Sequence, residues 1–222
     1  MSTQHAPTAP ALNTRRPFTR ADAVAAGITP KLLRGSRFRR VFRGVYVGGD
    51  VPLTPDVRTL AALALHPPGG FASHASAARV LGVPVPESSD EDVSVFREPD
   101  RRPRPGVRSH LAPRHVQVTK VRGIPVSEAT DTFLALASVL GLVDLVVVGD
   151  AMVSLGLTTE SRLVERAGAS QERCAVRARQ AAALVRAGVD SPMETRLRLL
   201  IVLAGLPEPV VNHIVRDDQA AG

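Results

Sequence analysis

The sequence predicts an α+β fold assembled from short helices and strands. Runs of β-branched and aromatic residues at 38–47 and 93–126 are typical of strands. Other segments repeat apolar residues at helical spacing, and several of them begin with a Ser or Thr N-cap followed by proline. The 222 residues, 44% of them hydrophobic, are enough for one or two domains with a buried core.

Two short helices are predicted near the beginning of the chain. Thr19 can cap the first helix, and Asp22 three residues later completes a capping box. Gly27 suits the end of this helix, where a positive φ is needed. Thr29 and Pro30 then begin a second helix. Two short helices joined by a tight turn predict a helix-turn-helix.

A basic hairpin follows the two helices. Residues 38–47 are a predicted pair of strands, so that residues 17–50 have the element order of a winged helix-turn-helix domain. Residues 1–50 contain nine basic and two acidic side chains, whereas residues 51–222 contain 19 of each. The net charge of +7 therefore lies in the first quarter of the chain, and this asymmetry predicts a polyanionic partner.

Double-stranded DNA is the polyanion that this element order favours. The second helix would enter the major groove, and the hairpin would contact phosphates. The predicted DNA-binding residues are Arg20, Lys31, Arg34, Arg37, Arg39, Arg40 and Arg43. The alternative interpretation is an arginine-rich solvated face on a dimerisation module.

Residues 54–188 predict a mixed α+β domain without internal repeats. His74 follows Ser73, but no acidic residue nearby in sequence could orient it as a catalytic base, so we expect only local hydrogen bonding at a helix start. The six histidines lack the HxxxH or HxH spacing of metal ligands, and neither a metal site nor a cofactor is predicted. Cys174 is predicted to be an unreactive thiol. The arginines near it are predicted to form a solvated face: Arg173, Arg177, Arg179 and Arg186.

Several motifs resemble a known family. The segments FTRA at 18–21 and RVFRGVYV at 40–47 resemble the N-terminal winged-helix domain of AbiEi-type antitoxins, which are the DNA-binding, autorepressing halves of type IV toxin–antitoxin systems. The segment SHASAA at 73–78 resembles the opening of their second domain, and GIPV at 123–126 and DTFL at 131–134 resemble later landmarks. The resemblance implies a transcriptional regulator that represses its own operon, with double-stranded DNA and a cognate toxin as partners.

The segment 189–222 begins with a strong helix start at Ser191, Pro192 and Glu194. A strand is predicted over 209–215. The predicted buried stripe of the helix comprises Leu197, Leu200, Ile201, Leu203 and Ala204.

This last segment resembles the opening of a very-short-patch-repair-like endonuclease domain of the PD-(D/E)xK class. The resemblance implies that Glu194 matches the helix glutamate of that metal site. The strands that would carry the other carboxylates and the lysine are absent, so we expect a truncated segment and no enzymatic activity. Two alternatives stay open: a defence- or repair-type endonuclease truncated before its metal-binding strands, and an interaction protein whose basic face has no role in DNA binding.

No membrane segment or signal peptide is predicted. The most apolar stretch, 141–153, is interrupted by Asp144 and Asp150. Residues 1–16 are polar and are predicted to form a disordered tail. We therefore expect a cytoplasmic protein without a membrane partner, for which a second copy of the chain is a further expected partner.

Overall fold

A computed structural model describes residues 12–209 of the chain. Within that range it contains nine α-helices and eight strands, which confirms the predicted α+β class. In chain order these are β1 (Phe18–Thr19), α1 (Arg20–Ala25), α2 (Pro30–Leu33), β2 (Phe38–Phe42), β3 (Val45–Gly48), α3 (Pro55–Leu63), β4 (Phe71–Ala72), α4 (His74–Leu81), β5 (Glu91–Val95), β6 (Val107–Leu111), β7 (Val118–Val121), β8 (Ile124–Ser127), α5 (Ala129–Leu136), α6 (Leu142–Ser154), α7 (Glu160–Ala169), α8 (Ala175–Leu184) and α9 (Pro192–Leu203). No helix in the described range combines the length and the hydrophobicity needed to cross a bilayer.

The described residues divide into two compact units. The first contains residues 12–76 and 88–126, and the second contains residues 77–87 and 127–209. This division differs from the boundaries predicted near residues 50 and 188. The first unit joins the predicted winged helix-turn-helix to α3 and the strands of the predicted middle domain, and the second unit joins α9 to helices α5, α6, α7 and α8 of that domain.

The first unit begins with a small antiparallel sheet in the order β1-β3-β2. Helices α1 and α2 cover it through a cluster of buried apolar residues: Phe18, Ala23, Leu33 and Phe38. The rings of Phe18 and Phe38 meet edge to face, with centroids 5.6 Å apart. The predicted capping box between Thr19 and Asp22 is present, so the local signals for these elements agree with the packing.

Residues 12–16 were predicted to belong to a disordered tail, and this prediction is wrong for them. Leu12 packs against the cluster around Phe18. The carbonyl oxygen of Thr14 accepts a hydrogen bond of 2.8 Å from the backbone N–H of Gly48 on β3. Because this contact satisfies a backbone donor at the end of the strand, it holds the segment on the sheet. Residues 1–11 lie outside the described range.

A five-stranded mixed sheet in the order β6-β5-β4-β8-β7 completes the first unit. Strands β5 and β6 run parallel, and so do β4 and β8, whereas β4 and β5 are antiparallel. One apolar cluster joins the small sheet to this larger one: Phe42, Val45, Ala61, Ala62, Val93 and Val107. The hairpin of β2 and β3 therefore packs on α3 and β5 instead of standing alone.

The second unit is helical, and α6 lies in its interior with seven buried residues. Helix α9 packs against α6 through Thr195, Arg198 and Leu199, which are its buried residues. The predicted buried stripe of α9 was wrong: Ile201 is half-buried, and the other four side chains of that stripe are exposed, namely Leu197, Leu200, Leu203 and Ala204. The reason is the carboxylate of Asp150 on α6. It forms an ion pair with Arg198, and this pairing holds the polar side of α9 toward α6.

Candidate nucleic-acid interface

The hairpin of β2 and β3 forms the most basic part of the first unit. Arg39 and Arg40 lie on β2, and the two-residue turn between Phe42 and Val45 contains Arg43. Gly44 closes this turn with a φ of 88°, a left-handed conformation that glycine adopts without steric cost. The turn therefore presents Arg43 at the end of the hairpin.

All seven cations that were predicted to bind DNA are exposed. They come from α1, from α2 and the loop that follows it, and from the hairpin. Among residues 12–209 no carboxylate forms an ion pair with any of them. Between Lys31 and Arg43 the chain contains six basic and no acidic residues, so the surface carries one sign of charge.

Two of these arginines are held by local contacts. The guanidinium of Arg37 lies over the ring of Phe38, 5.8 Å from its centroid. Arg39 donates a hydrogen bond from Nη2 to the carbonyl of Gly49 at 3.3 Å. Such contacts already restrict the rotamers of these side chains, so a later contact with phosphate costs less conformational entropy.

Helix α2 is shorter than a helix that reads bases along the major groove. It contains only the four residues Pro30–Leu33, and Thr29 caps it by accepting a hydrogen bond from the backbone N–H of Leu32. Arg34 stands at its C-cap. A single turn of helix places few side chains in a groove, which gives the hairpin a larger share of any DNA contact.

A polar cluster that the sequence analysis did not predict lies on the large sheet. His74 begins α4, Asp92 lies on β5 and His110 lies on β6, and a ligand atom of each lies within 4.8 Å of the other two. Asp92 Oδ1 accepts a hydrogen bond from His110 Nε2 at 2.9 Å, if that nitrogen carries the proton. The imidazoles of His74 and His110 stack with centroids 4.0 Å apart. Asp92 and His110 are 18 positions apart, and no known motif with that spacing predicts a common site. The polar residues within β5 were nevertheless a signal of such a cluster, because strand residues that are buried on both faces are normally apolar.

Charges and burial shift the pKa values of this cluster. Burial, with a smaller contribution from the neighbouring His110, lowers the pKa of His74 to about 4. The pKa of Asp92 is also lowered, since hydrogen bonds from His110 and Arg108 outweigh the opposing effect of burial. At neutral pH the cluster therefore contains an ionised carboxylate beside a neutral imidazole. The predicted local hydrogen bond of His74 is present, between its Nδ1 and Ser73 Oγ at 2.9 Å.

Glu194 acts as a capping residue of α9. Its backbone N–H donates to Ser191 Oγ at 3.2 Å, and its Oε2 accepts from the backbone N–H of Asp190 at 2.9 Å. Within the described residues Glu194 belongs to no group of metal-ligating side chains. Residues 210–215 of the strand predicted over 209–215 lie outside the described range.

Three of the four arginines near Cys174 are exposed, as the prediction of a solvated face requires, namely Arg173, Arg177 and Arg179, whereas Arg186 is half-buried. Arg177 donates to the carbonyl oxygens of Ala137 and Leu140, and Arg179 donates to that of Ser170. They therefore satisfy carbonyl groups at the ends of other helices of the second unit. Cys174 is a half-buried free thiol that precedes α8.

Comparisons with known proteins assign no function to this chain. The sequence matches no protein-family model, and no curated protein matches it significantly. Among solved structures, the RV2827C protein from Mycobacterium tuberculosis is similar to this chain, with 18% sequence identity, a TM-score of 0.46 and coverage of 88% of this chain and 78% of that chain. The interpretation of function therefore depends on the residues of this chain.

Proposed function

We propose that the protein binds double-stranded DNA through its N-terminal helices and hairpin and acts as a transcriptional regulator. The observation that carries the proposal is the surface of seven exposed cations within residues 20–43, six of which lie between Lys31 and Arg43 with no acidic residue among them. A duplex presents phosphates on both sides of each groove, and such a surface gains affinity by releasing counterions from them. Phosphate contacts of this kind position a protein on DNA, while contacts to base edges specify the sequence.

The packing beneath the surface supports this function. The cluster around Phe18 and Phe38 attaches both helices to the small sheet, and Phe42 and Val45 attach the hairpin to α3 and β5. A rigid base keeps several guanidinium groups at constant separations, so that they can meet successive phosphates without a large loss of entropy.

The finer role that we propose is autorepression as an antitoxin of the AbiEi type, with a cognate toxin as the protein partner. The motifs at 18–21, 40–47 and 73–78 support this role. It requires that the DNA upstream of the protein's own gene binds more tightly than a scrambled duplex of the same composition. A second copy of the chain on each operator would appear as a stoichiometry of two proteins per duplex.

The proposal is tested by fluorescence anisotropy on both duplexes over a series of salt concentrations. Six basic side chains lie between Lys31 and Arg43, and if all of them meet phosphate, log K should fall against log salt with a slope of about −5. The variant Arg34→Ala/Arg39→Ala/Arg40→Ala should reduce the magnitude of the slope by about 3 and weaken binding to both duplexes.

A control with the same loss of charge separates a local interface from a general effect of net charge. Arg114, Arg162 and Arg173 are exposed and lie outside the hairpin and its helices. Their triple alanine variant should bind DNA with the slope of the wild type. Equal slopes for all three proteins, or no binding at low salt, would refute DNA binding by this surface. Equal affinity for the two duplexes would refute only the operator-specific role.

A further inference from the structure

The cluster of His74, Asp92 and His110 is formed by the topology of the large sheet. Parallel pairing of β5 with β6 aligns Asp92 with Arg108 and Ser94 with His110, which places Asp92 and His110 on the same face two positions apart in register. Strand β4 pairs with β5 and ends next to His74. Three separate elements therefore bring two imidazoles and one carboxylate close together.

These groups are the ligand types that late divalent transition metals prefer. Two histidines and one carboxylate form a common set of three protein ligands around Zn²⁺, which leaves one further position for water. Ligand atoms that share such an ion lie about 3 to 3.5 Å apart, because each is about 2.1 Å from the metal. The observed separations of at most 4.8 Å require only small movements, and the side chain of His110 is 27% exposed and free to make them.

The backbone of His74 has an uncommon conformation. Its φ is 47°, in the left-handed region, which few residues with a Cβ adopt. It is only 8% exposed. Ser73 Oγ lies 2.9 Å from His74 Nδ1 and accepts a hydrogen bond from Ser94 Oγ at 2.8 Å. If Nδ1 carries the proton and donates to Ser73, then Nε2 has the free lone pair that a metal requires.

The positive charge of Arg108 opposes the binding of a cation beside Asp92. Its Nε donates to Asp92 Oδ1 at 2.9 Å, and its Nη2 donates to Asp92 Oδ2 at 3.2 Å. The guanidinium therefore neutralises the carboxylate that a metal would use. Because the side chain of Arg108 is 45% exposed, it can leave Asp92 without being buried elsewhere.

We propose that His74, Asp92 and His110 form a binding site for Zn²⁺ or a divalent cation of similar chemistry, and that Arg108 competes with the cation for Asp92. The site is independent of the proposed DNA interface, because none of its residues belongs to the basic surface of residues 20–43.

The test uses the full chain without an affinity tag, stripped of metal with a chelator and titrated calorimetrically with Zn²⁺ at neutral pH. The variant His110→Asn should bind Zn²⁺ more weakly by at least the roughly 10- to 100-fold that loss of a supporting partner causes. The control variant His115→Asn changes an exposed histidine five residues away, and it should bind like the wild type. Equal affinities for His110→Asn and His115→Asn would overturn the site.

The variant Arg108→Ala distinguishes a metal site from a structural network. If Arg108 only stabilises the fold, its loss lowers stability and does not tighten metal binding. Competition predicts instead that Arg108→Ala binds Zn²⁺ about tenfold more tightly, because a positive charge leaves the neighbourhood of the ion. Unchanged or weaker binding would overturn the competition.

A measurement on the wild type keeps the proposal testable if a variant does not fold. Co²⁺ added to the wild-type protein should broaden the imidazole NMR signals of His74 and His110 before those of His66 and His115. Broadening that begins at other histidines, or that affects all of them equally, would overturn the site.

Discussion

At the scale of single residues, burial decides which histidines stay neutral. His66 is buried, and its imidazole contacts the carbonyl of Ala62 and the hydroxyl of Ser109. Burial lowers its pKa, with Arg102 and Arg104 adding to the effect. Burial lowers the pKa of His74 as well, and by a larger amount. Two histidines of the first unit therefore resist protonation in the folded state, although neither was predicted to be buried.

The lowered pKa of His74 predicts a loss of stability in mild acid. In the folded state its pKa is about 4, whereas in the unfolded state it is 6.5. Between these values the unfolded state binds more protons, so the free energy of unfolding falls as the pH decreases. From pH 7 to pH 5 this group should contribute a loss of about 2 kcal/mol, measured by urea denaturation with a chelator present.

The variant His74→Asn isolates this contribution. Asparagine does not titrate, and it tolerates a left-handed backbone better than most residues. His66 remains in both proteins and contributes in the same direction, so only the difference between them reports on His74. The variant should lose about 2 kcal/mol less than the wild type over the same pH interval. An identical loss in both proteins would mean that His74 does not titrate as the structure implies.

At the scale of elements, α9 shows how a counter-charge overrides hydrophobic patterning. Met193 is 70% exposed and Leu200 is 69% exposed, while Arg198 is only 3% exposed. Arg198 donates to Asp150 on α6 and to the carbonyl of Leu184. Burial raises the pKa of Asp150 even though Thr195, Arg198 and a backbone N–H all donate to it. The carboxylate therefore depends on these partners to remain charged in the interior.

The variants Arg198→Met and Arg196→Met form a matched pair on this helix. Both arginines are paired with carboxylates of α6, but the side chains of Arg198 and Asp150 are 3% and 2% exposed, against 44% and 34% for Arg196 and Asp144. Arg198→Met should lower the free energy of unfolding by about 3–5 kcal/mol, because it leaves a buried charge without its partner. Arg196→Met should lower it by at most about 1 kcal/mol. Similar losses in urea denaturation would contradict the observed burial.

At the scale of the whole molecule, the end of the basic hairpin packs on elements that lie beyond residue 50. Phe42 and Val45 share a cluster with residues of α3, β5 and β6. A Cβ on Gly106 would approach the ring of Phe42 to 3.1 Å, which shows how closely the segment before β6 contacts the hairpin. The DNA-binding function that we propose therefore requires the large sheet as a support.

This dependence predicts that a fragment ending at residue 53 does not fold alone. It retains both helices and the hairpin but loses α3, β5 and β6, which leaves Phe42 and Val45 exposed. Its NMR spectrum should lack chemical-shift dispersion, and its far-UV circular dichroism should show no cooperative thermal transition. A cooperative transition in the fragment would show that residues 17–50 are an independent domain.

The sequence by itself determined the local features of this protein. Caps such as Thr19, Thr29 and Ser191 act over three residues, and strand patterns act over two, so both can be recognised from neighbours along the chain. The clustering of positive charge before residue 50 is likewise a property of the sequence. The α+β class, most elements and the basic candidate site followed from these signals.

Only the tertiary structure decided which surfaces meet. The inward face of α9 depends on Asp150, which lies 48 positions before Arg198, and the cluster of His74, Asp92 and His110 depends on the order of strands in the large sheet. Sheet order and helix packing arise from burial summed over the whole molecule, and the neighbours of a residue along the chain do not reveal which distant residue that burial will place beside it.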